Sequence, residues 1–179
     1  MELVYPDTVW AGCMVPIRDA ALGDAAAIVT LLGQLGYEAD EPMVRERLAA
    51  YDASPLAFTL VAVDAQPVGV LAFHVTPTFH ERGGVGRITT LVVLEGHRGS
   101  GVGAALVTEA ERRAKAMGCA RIELTSGARR DDAHRFYENL GYRRTGVRFL
   151  RHLTDEQARL VPADYARVNV PDVTDRASR

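Results

Sequence analysis

Apolar and polar positions along the chain change period several times, and each change marks an element. Val15 to Asp19 reads as a short strand. After Asp24, residues Ile28, Leu31, Leu32 and Leu35 recur at helical spacing until Gly36 stops them. Asp40-Glu41-Pro42 opens a second helix, continued by Met43, Val44, Arg47, Leu48 and Tyr51 and broken at Ser54-Pro55. Two β-rich runs follow, Leu56 to Val63 and Val68 to Val75. The polar Asp64-Ala65-Gln66-Pro67 between them predicts an antiparallel hairpin. A third run, Gly86 to Leu94, is apolar on both faces at its centre, as a covered central strand is.

From Gly101 to Gly118 the spacing is helical again. Val102, Ala105, Leu106, Ala110, Ala114 and Met117 form its apolar stripe, and Glu109, Glu111, Arg112, Arg113 and Lys115 are expected to face water. A strand over Arg121 to Ser126 follows. A helix from Asp131 or Asp132 then carries Ala133, Phe136, Tyr137 and Leu140, and Gly141 caps it. Tyr142 to Leu153 is β-like, with a break expected near Gly146. The order predicts one α+β domain over residues 14–153 with a mostly antiparallel sheet. Residues 1–13 read as an N-terminal extension and 154–179 as a polar tail.

Composition removes several classes. Of 179 residues, 47% are hydrophobic and 25% charged, which excludes disorder, collagen and coiled coil for the chain as a whole. Lys+Arg number 21 against 23 Asp+Glu, so charge gives no support to a nucleic-acid partner. No apolar run is long enough to span a bilayer, so no membrane partner is expected. The first residues lack the regions of a signal peptide, and two cysteines, Cys13 and Cys119, build no disulfide framework. The expectation is a cytoplasmic protein. The histidines and cysteines show no ligand spacing, so no metal is expected.

The chemistry concentrates in Leu91-Val92-Val93-Leu94-Glu95-Gly96-His97-Arg98-Gly99-Ser100-Gly101-Val102-Gly103-Ala104. A buried strand enters a glycine-rich turn, and a long amphipathic helix leaves it. Glycines let a ligand approach the backbone, and the helix's first N–H groups carry partial positive charge. That combination suits phosphate or pyrophosphate, with Arg98 as an added cation. The bland reading is a tight chain reversal. A Walker loop is excluded because no Gly-Lys-Ser/Thr follows. Gly99-x-Gly101-x-x-Ala104, with Glu123 about twenty residues on, formally matches a relaxed dinucleotide fingerprint. Too little chain remains after Glu123 for that fold, and the hairpin before the loop argues against a parallel sheet.

Arg98-x-x-Gly101-x-Gly103 resembles the Q/R-x-x-G-x-G/A acetyl-CoA loop of the GNAT superfamily of N-acetyltransferases. Asp132 to Tyr142, with Ala133, Phe136, Tyr137, Gly141 and Tyr142, is similar to that family's A-x-x-F-Y-x-x-x-G-F/Y element. The resemblance covers about residues 15 to 150. It implies a three-layer α/β/α fold, with a mixed, mostly antiparallel sheet of six to seven strands and about four helices. It implies that N–H groups from Arg98 through Ala104 (Arg98, Gly99, Ser100, Gly101, Val102, Gly103, Ala104) hold the pyrophosphate of coenzyme A. The backbone of Leu91, Val92 and Val93 would pair with the pantetheine arm. Parting of this strand from Arg121–Ser126 would admit the thioester. Tyr137 would protonate the departing thiolate; its bland reading is a place in the core stripe. Arg130 stands where many relatives carry Asn, and Arg129 precedes it; contact with the cofactor is one reading, solvation the other.

The general base is open. Val85 to Leu94 holds no acid, which leaves Glu123, His74, His80, Glu81 or a water chain. Gly36 to Pro42, with Tyr37, Glu38, Asp40 and Glu41, is expected to border the acceptor; an acidic helix start explains the same residues. The resemblance therefore implies transfer of acetyl from acetyl-CoA to a primary amine of a small molecule. Acetylation of a protein N-terminus or lysine and a non-catalytic acyl-CoA-binding module are the alternatives. A homodimer through the strands after Tyr142 is the assembly the family suggests.

Overall fold

The computed structural model describes residues 15–80, 82–151 and 153. The chain divides into two compact units, 1–125 and 126–179. In the first, strand β1 (Ile17–Asp19) leads to helices α1 (Ala25–Gly33) and α2 (Glu41–Asp52). Strands β2 (Ala57–Asp64), β3 (Gln66–Pro77) and β4 (Gly84–Val93) follow, then helix α3 (Val102–Ala116) and strand β5 (Cys119–Leu124). The sheet order is β1-β2-β3-β4-β5. All pairs are antiparallel except β4 with β5. A parallel pair needs a crossover, and α3 supplies it. The expected start of α2 is met: Asp40 is extended, accepts from the Met43 N–H at 2.8 Å, and Pro42 sits in the first turn.

Both sheet faces are covered, which explains the continuous apolar run in β4. One face carries α1 and α2: Ile28, Leu31, Val44 and Leu48 pack with Val61, Val70 and Val92. The other carries α3. A Cβ on Gly69 would meet Val102 and Leu106 at 3.1 and 3.0 Å, so this helix lies close on the strand. Leu60, Leu71 and Leu106 are fully buried.

Three sequence expectations are corrected. The sheet has five strands among the described residues, not six to seven. Tyr142 to Leu153 forms no strand where it is described. Gly146 has φ +69°, which agrees with the break expected there. Glu109 and Arg113 do not face water: they are 2% and 7% exposed. They neutralise one another four residues apart on the helix, Arg113 Nε donating to Glu109 at 2.8 Å, and Arg113 also pairs with Asp19 of β1.

The second unit contains α4 (Asp131–Asn139), begun by two acids and ended at Leu140 before Gly141 at φ +88°. Among the described residues no helix is long and apolar enough to cross a membrane.

Candidate active site

The glycine-rich turn is built as a ligand platform would be. Gly99 and Gly101 have φ of +76° and +87°, a region L side chains resist. Gly101 occupies the cap position of α3, no side chain caps the helix, and its first turn holds no acid. The N–H groups of Val102, Gly103 and Ala104 therefore open the helix without intrahelical acceptors. Ser100 turns its hydroxyl to the His97 carbonyl at 2.6 Å, and His97 Nε2 lies 3.2 Å from Asp64. The Arg98 N–H donates to Glu95 O. Its guanidinium folds back, Nε to Val93 O at 3.1 Å and Nη2 to Gln34 Oε1 at 3.2 Å.

β4 pairs with β5 only from Gly84 to Ile88. From Thr89 to Val93 no strand pairs with that edge of β4 among the described residues, and at its end Val93 O accepts from Arg98 Nε. The Leu94 N–H donates to Val68 O of β3, so by alternation Leu91 and Val93 turn their main chains to the open edge and Val92 turns its own to β3. A bulge sits where the strands part: Ala72 pairs with Thr90 and Phe73 with Ile88, leaving Thr89 extra. The Thr89 hydroxyl donates to Ala72 O at 3.2 Å and lies 3.3 Å from the Tyr51 hydroxyl.

Glu123 is aligned with Arg87 across the β4–β5 pair, and Arg87 Nη1 donates to its carboxylate at 2.6 Å. Arg87 Nη2 donates to Thr125 at 3.0 Å. His74 is aligned with Arg87 on the other side, in β3. Sequence reasoning missed Arg87. The signal was there, a cation inside an apolar strand, but only acids were sought on that strand. His80 is exposed, and Glu81 lies outside the described residues. In the acidic segment, Asp40 caps α2 and Glu41 pairs with Arg45 at 2.8 Å; Glu38 borders an open groove of about 460 Å³ with Tyr37 and Met43.

In the second unit, Tyr137 packs edge-on against Phe136 and Tyr142, with ring centroids 5.0 and 5.8 Å away. Burial pushes its phenol above the ordinary value, and the Arg130 charge opposes this. Tyr137 is therefore a neutral O–H donor at neutral pH. Arg129 and Arg130 are exposed.

A strand with one open edge running into an uncapped helix start agrees with the family match: residues 27–142 fit the Acetyltransferase (GNAT) family. The chain belongs to the GNAT acetyltransferase family. That makes it an acyltransferase of a family whose cosubstrate is acetyl-CoA. It is 32% identical over 139 residues to the aminoalkylphosphonate N-acetyltransferase of Salmonella typhimurium, covering 76% of this chain and 90% of that one. A solved transcriptional regulator from Bacillus halodurans is 29% identical, with a TM-score of 0.71 over 78% of this GNAT chain and 99% of its own. An aminoglycoside 6'-N-acetyltransferase from Acinetobacter haemolyticus is 24% identical, with a TM-score of 0.65 over 77% and 99%, a likeness of fold alone.

Proposed function

We propose that this GNAT chain transfers the acetyl group of acetyl-CoA to the primary amine of a small molecule, by direct attack in a ternary complex. The observation that carries the reading is the continuity of the open β4 edge with the uncapped start of α3. The cosubstrate is an extended amide-bearing arm that ends in a pyrophosphate, and each part has its match in that order. Leu91 and Val93 pair with the arm as an added strand would. The N–H groups from Gly99 to Ala104 hold the pyrophosphate. Arg130 supplies a further cation for the cofactor's phosphates.

The amine nitrogen attacks the thioester carbonyl carbon. The C–S bond breaks and its electron pair goes to sulfur. Tyr137 gives the thiolate its proton, and Glu123, directly or through water, takes the proton that the nitrogen loses. The acceptor class is supported by the 32% identical relative, named for a small-molecule amine.

Thermal melting with acetyl-CoA, free coenzyme A and NAD is the first test. A ligand at about a hundred times its Kd adds roughly 2.7 kcal/mol to stability. The expected result is a rise with both coenzyme A forms and none with NAD; the reverse pattern sinks the reading. Tyr137→Phe is then expected to slow thiol release about 10²–10⁴-fold while the melting shift persists. Undiminished release removes Tyr137 from the chemistry.

A further inference from the structure

His74, Arg87 and Glu123 stand in one register line across β3, β4 and β5. Their face is fixed by their neighbours. A Cβ on Gly86 would strike the Phe73 ring at 2.3 Å, and Phe73 stacks on Phe58, over which Arg113 of α3 lies. Gly86 thus faces α3, and by alternation Arg87 faces the side that bears α1 and α2. There the Tyr51–Thr89 hydroxyl contact joins the last turn of α2 to the bulge. The line crosses β4 one residue before its pairing with β5 ends at Ile88.

A half-exposed cross-strand ion pair contributes only about 0.2–1 kcal/mol, a small return for placing polar groups among apolar strand positions. The guanidinium has five N–H donors, of which Glu123 and Thr125 use two. The His74 imidazole makes no hydrogen bond among the described residues. Donors for an anion and an acceptor for an ammonium thus lie side by side, on strands about 4.8 Å apart.

We infer that Arg87 is the specificity residue of the acceptor site, binding the acidic group of a short amino acid-like or aminoalkyl acid acceptor while Glu123 receives its amine. This rests on the acetyl-transfer reading for the place of the acceptor. The acid is a phosphonate or a carboxylate.

The test compares 2-aminoethylphosphonate, β-alanine and propylamine on the wild type, Arg87→Gln and Arg87→Lys. Loss of a charge-assisted bond weakens binding about ten- to a hundredfold. Arg87→Gln is expected to raise KM by that factor more for the preferred acid than for propylamine. Arg87→Lys, which keeps a cation opposite Glu123 and guards against misfolding, retains part of the preference. The better acid tells phosphonate from carboxylate, and either supports the inference. Equal use of all three amines by the wild type overturns it, as does an equal loss for all three in Arg87→Gln. Calorimetric binding of each acid to the acetyl-CoA-free protein separates the two claims. Arg87-dependent binding without thiol release sinks the acetyl-transfer reading and leaves Arg87 as the anion site; binding indifferent to Arg87 overturns the inference.

Discussion

The two ends of α3 follow opposite rules. Its start has a glycine at the cap, no capping side chain and no charge in the first turn. Two turns on, Glu109 accepts from both Arg112 and Arg113, and Arg113 reaches Asp19 of β1 and lies 5.4 Å from the Phe58 ring centroid. A helix that leaves its first N–H groups uncapped gives up an interaction worth about 1 kcal/mol. The anchoring then comes from side chains further along. The buried ion pairs hold the helix body in place so that its start stays available.

The strongest way to break this contrast is Glu109→Ala. It leaves Arg113 buried with one partner fewer, and losing one member of a buried pair costs about 3–5 kcal/mol. Urea unfolding is expected to register a loss of that size, while the fraction still folded keeps its acetyl-CoA response. A loss below about 1 kcal/mol would mean that the body is not the anchor. Acid gives a second handle. Burial by itself raises the Glu109 carboxyl, but hydrogen bonds from Arg112 and Arg113 outweigh it and hold it below the ordinary 4.5. A hydrogen bond from Arg18 likewise lowers Asp24 below 3.8, against the cost of burial. Folded values below unfolded ones give stability that is full above those ordinary values and lost as pH falls through the folded ones. Wild type and Glu109→Gln are therefore expected to converge in stability as the solution is acidified below about pH 4.5. Parallel curves would show that Glu109 carries no linkage.

The opposite end is broken by Gly101→Val. A β-branched residue at φ +87° is strained by at least about 1–2 kcal/mol. The expected stability loss is of that size, smaller than for Glu109→Ala. The acetyl-CoA melting shift is expected to disappear, because the strain is relieved by moving the N–H groups proposed to hold the pyrophosphate. A retained shift would show that the turn only reverses the chain.

The start of α3 was legible because its signal is local: glycine spacing between a doubly apolar strand and a helical stripe. The Asp40 cap was legible for the same reason. Glu109 and Arg113 were misread because residue type was taken to decide burial, whereas Asp19, the partner that helps neutralise them, stands 94 residues from Arg113. Arg87 escaped notice on similar grounds, since Glu123 is 36 residues away and only strand register brings them together. Tyr142 to Leu153 shows the converse. Val147 and Phe149 alternate as a strand would, and the break at Gly146 was legible, but pairing is non-local and alternation alone does not supply a partner strand.

The smallest expected effect sharpens the boundary between the two ends. Sequence assigned Arg98 to the anion. In the fold its guanidinium already holds Val93 O, at the open end of β4, and Gln34 Oε1, which also accepts from the Glu95 N–H at 3.0 Å. These bonds tie α1, β4 and the turn together, and in an exposed position they contribute about 0.5–1.5 kcal/mol net. Arg98→Met is expected to lower stability by that amount and to leave the salt dependence of acetyl-CoA binding as it is in the wild type, since a brace adds no charge to the ligand contact. A clearly flatter salt dependence with unchanged stability would return Arg98 to the pyrophosphate. The start of α3 would then be built by side-chain charge as well as by backbone.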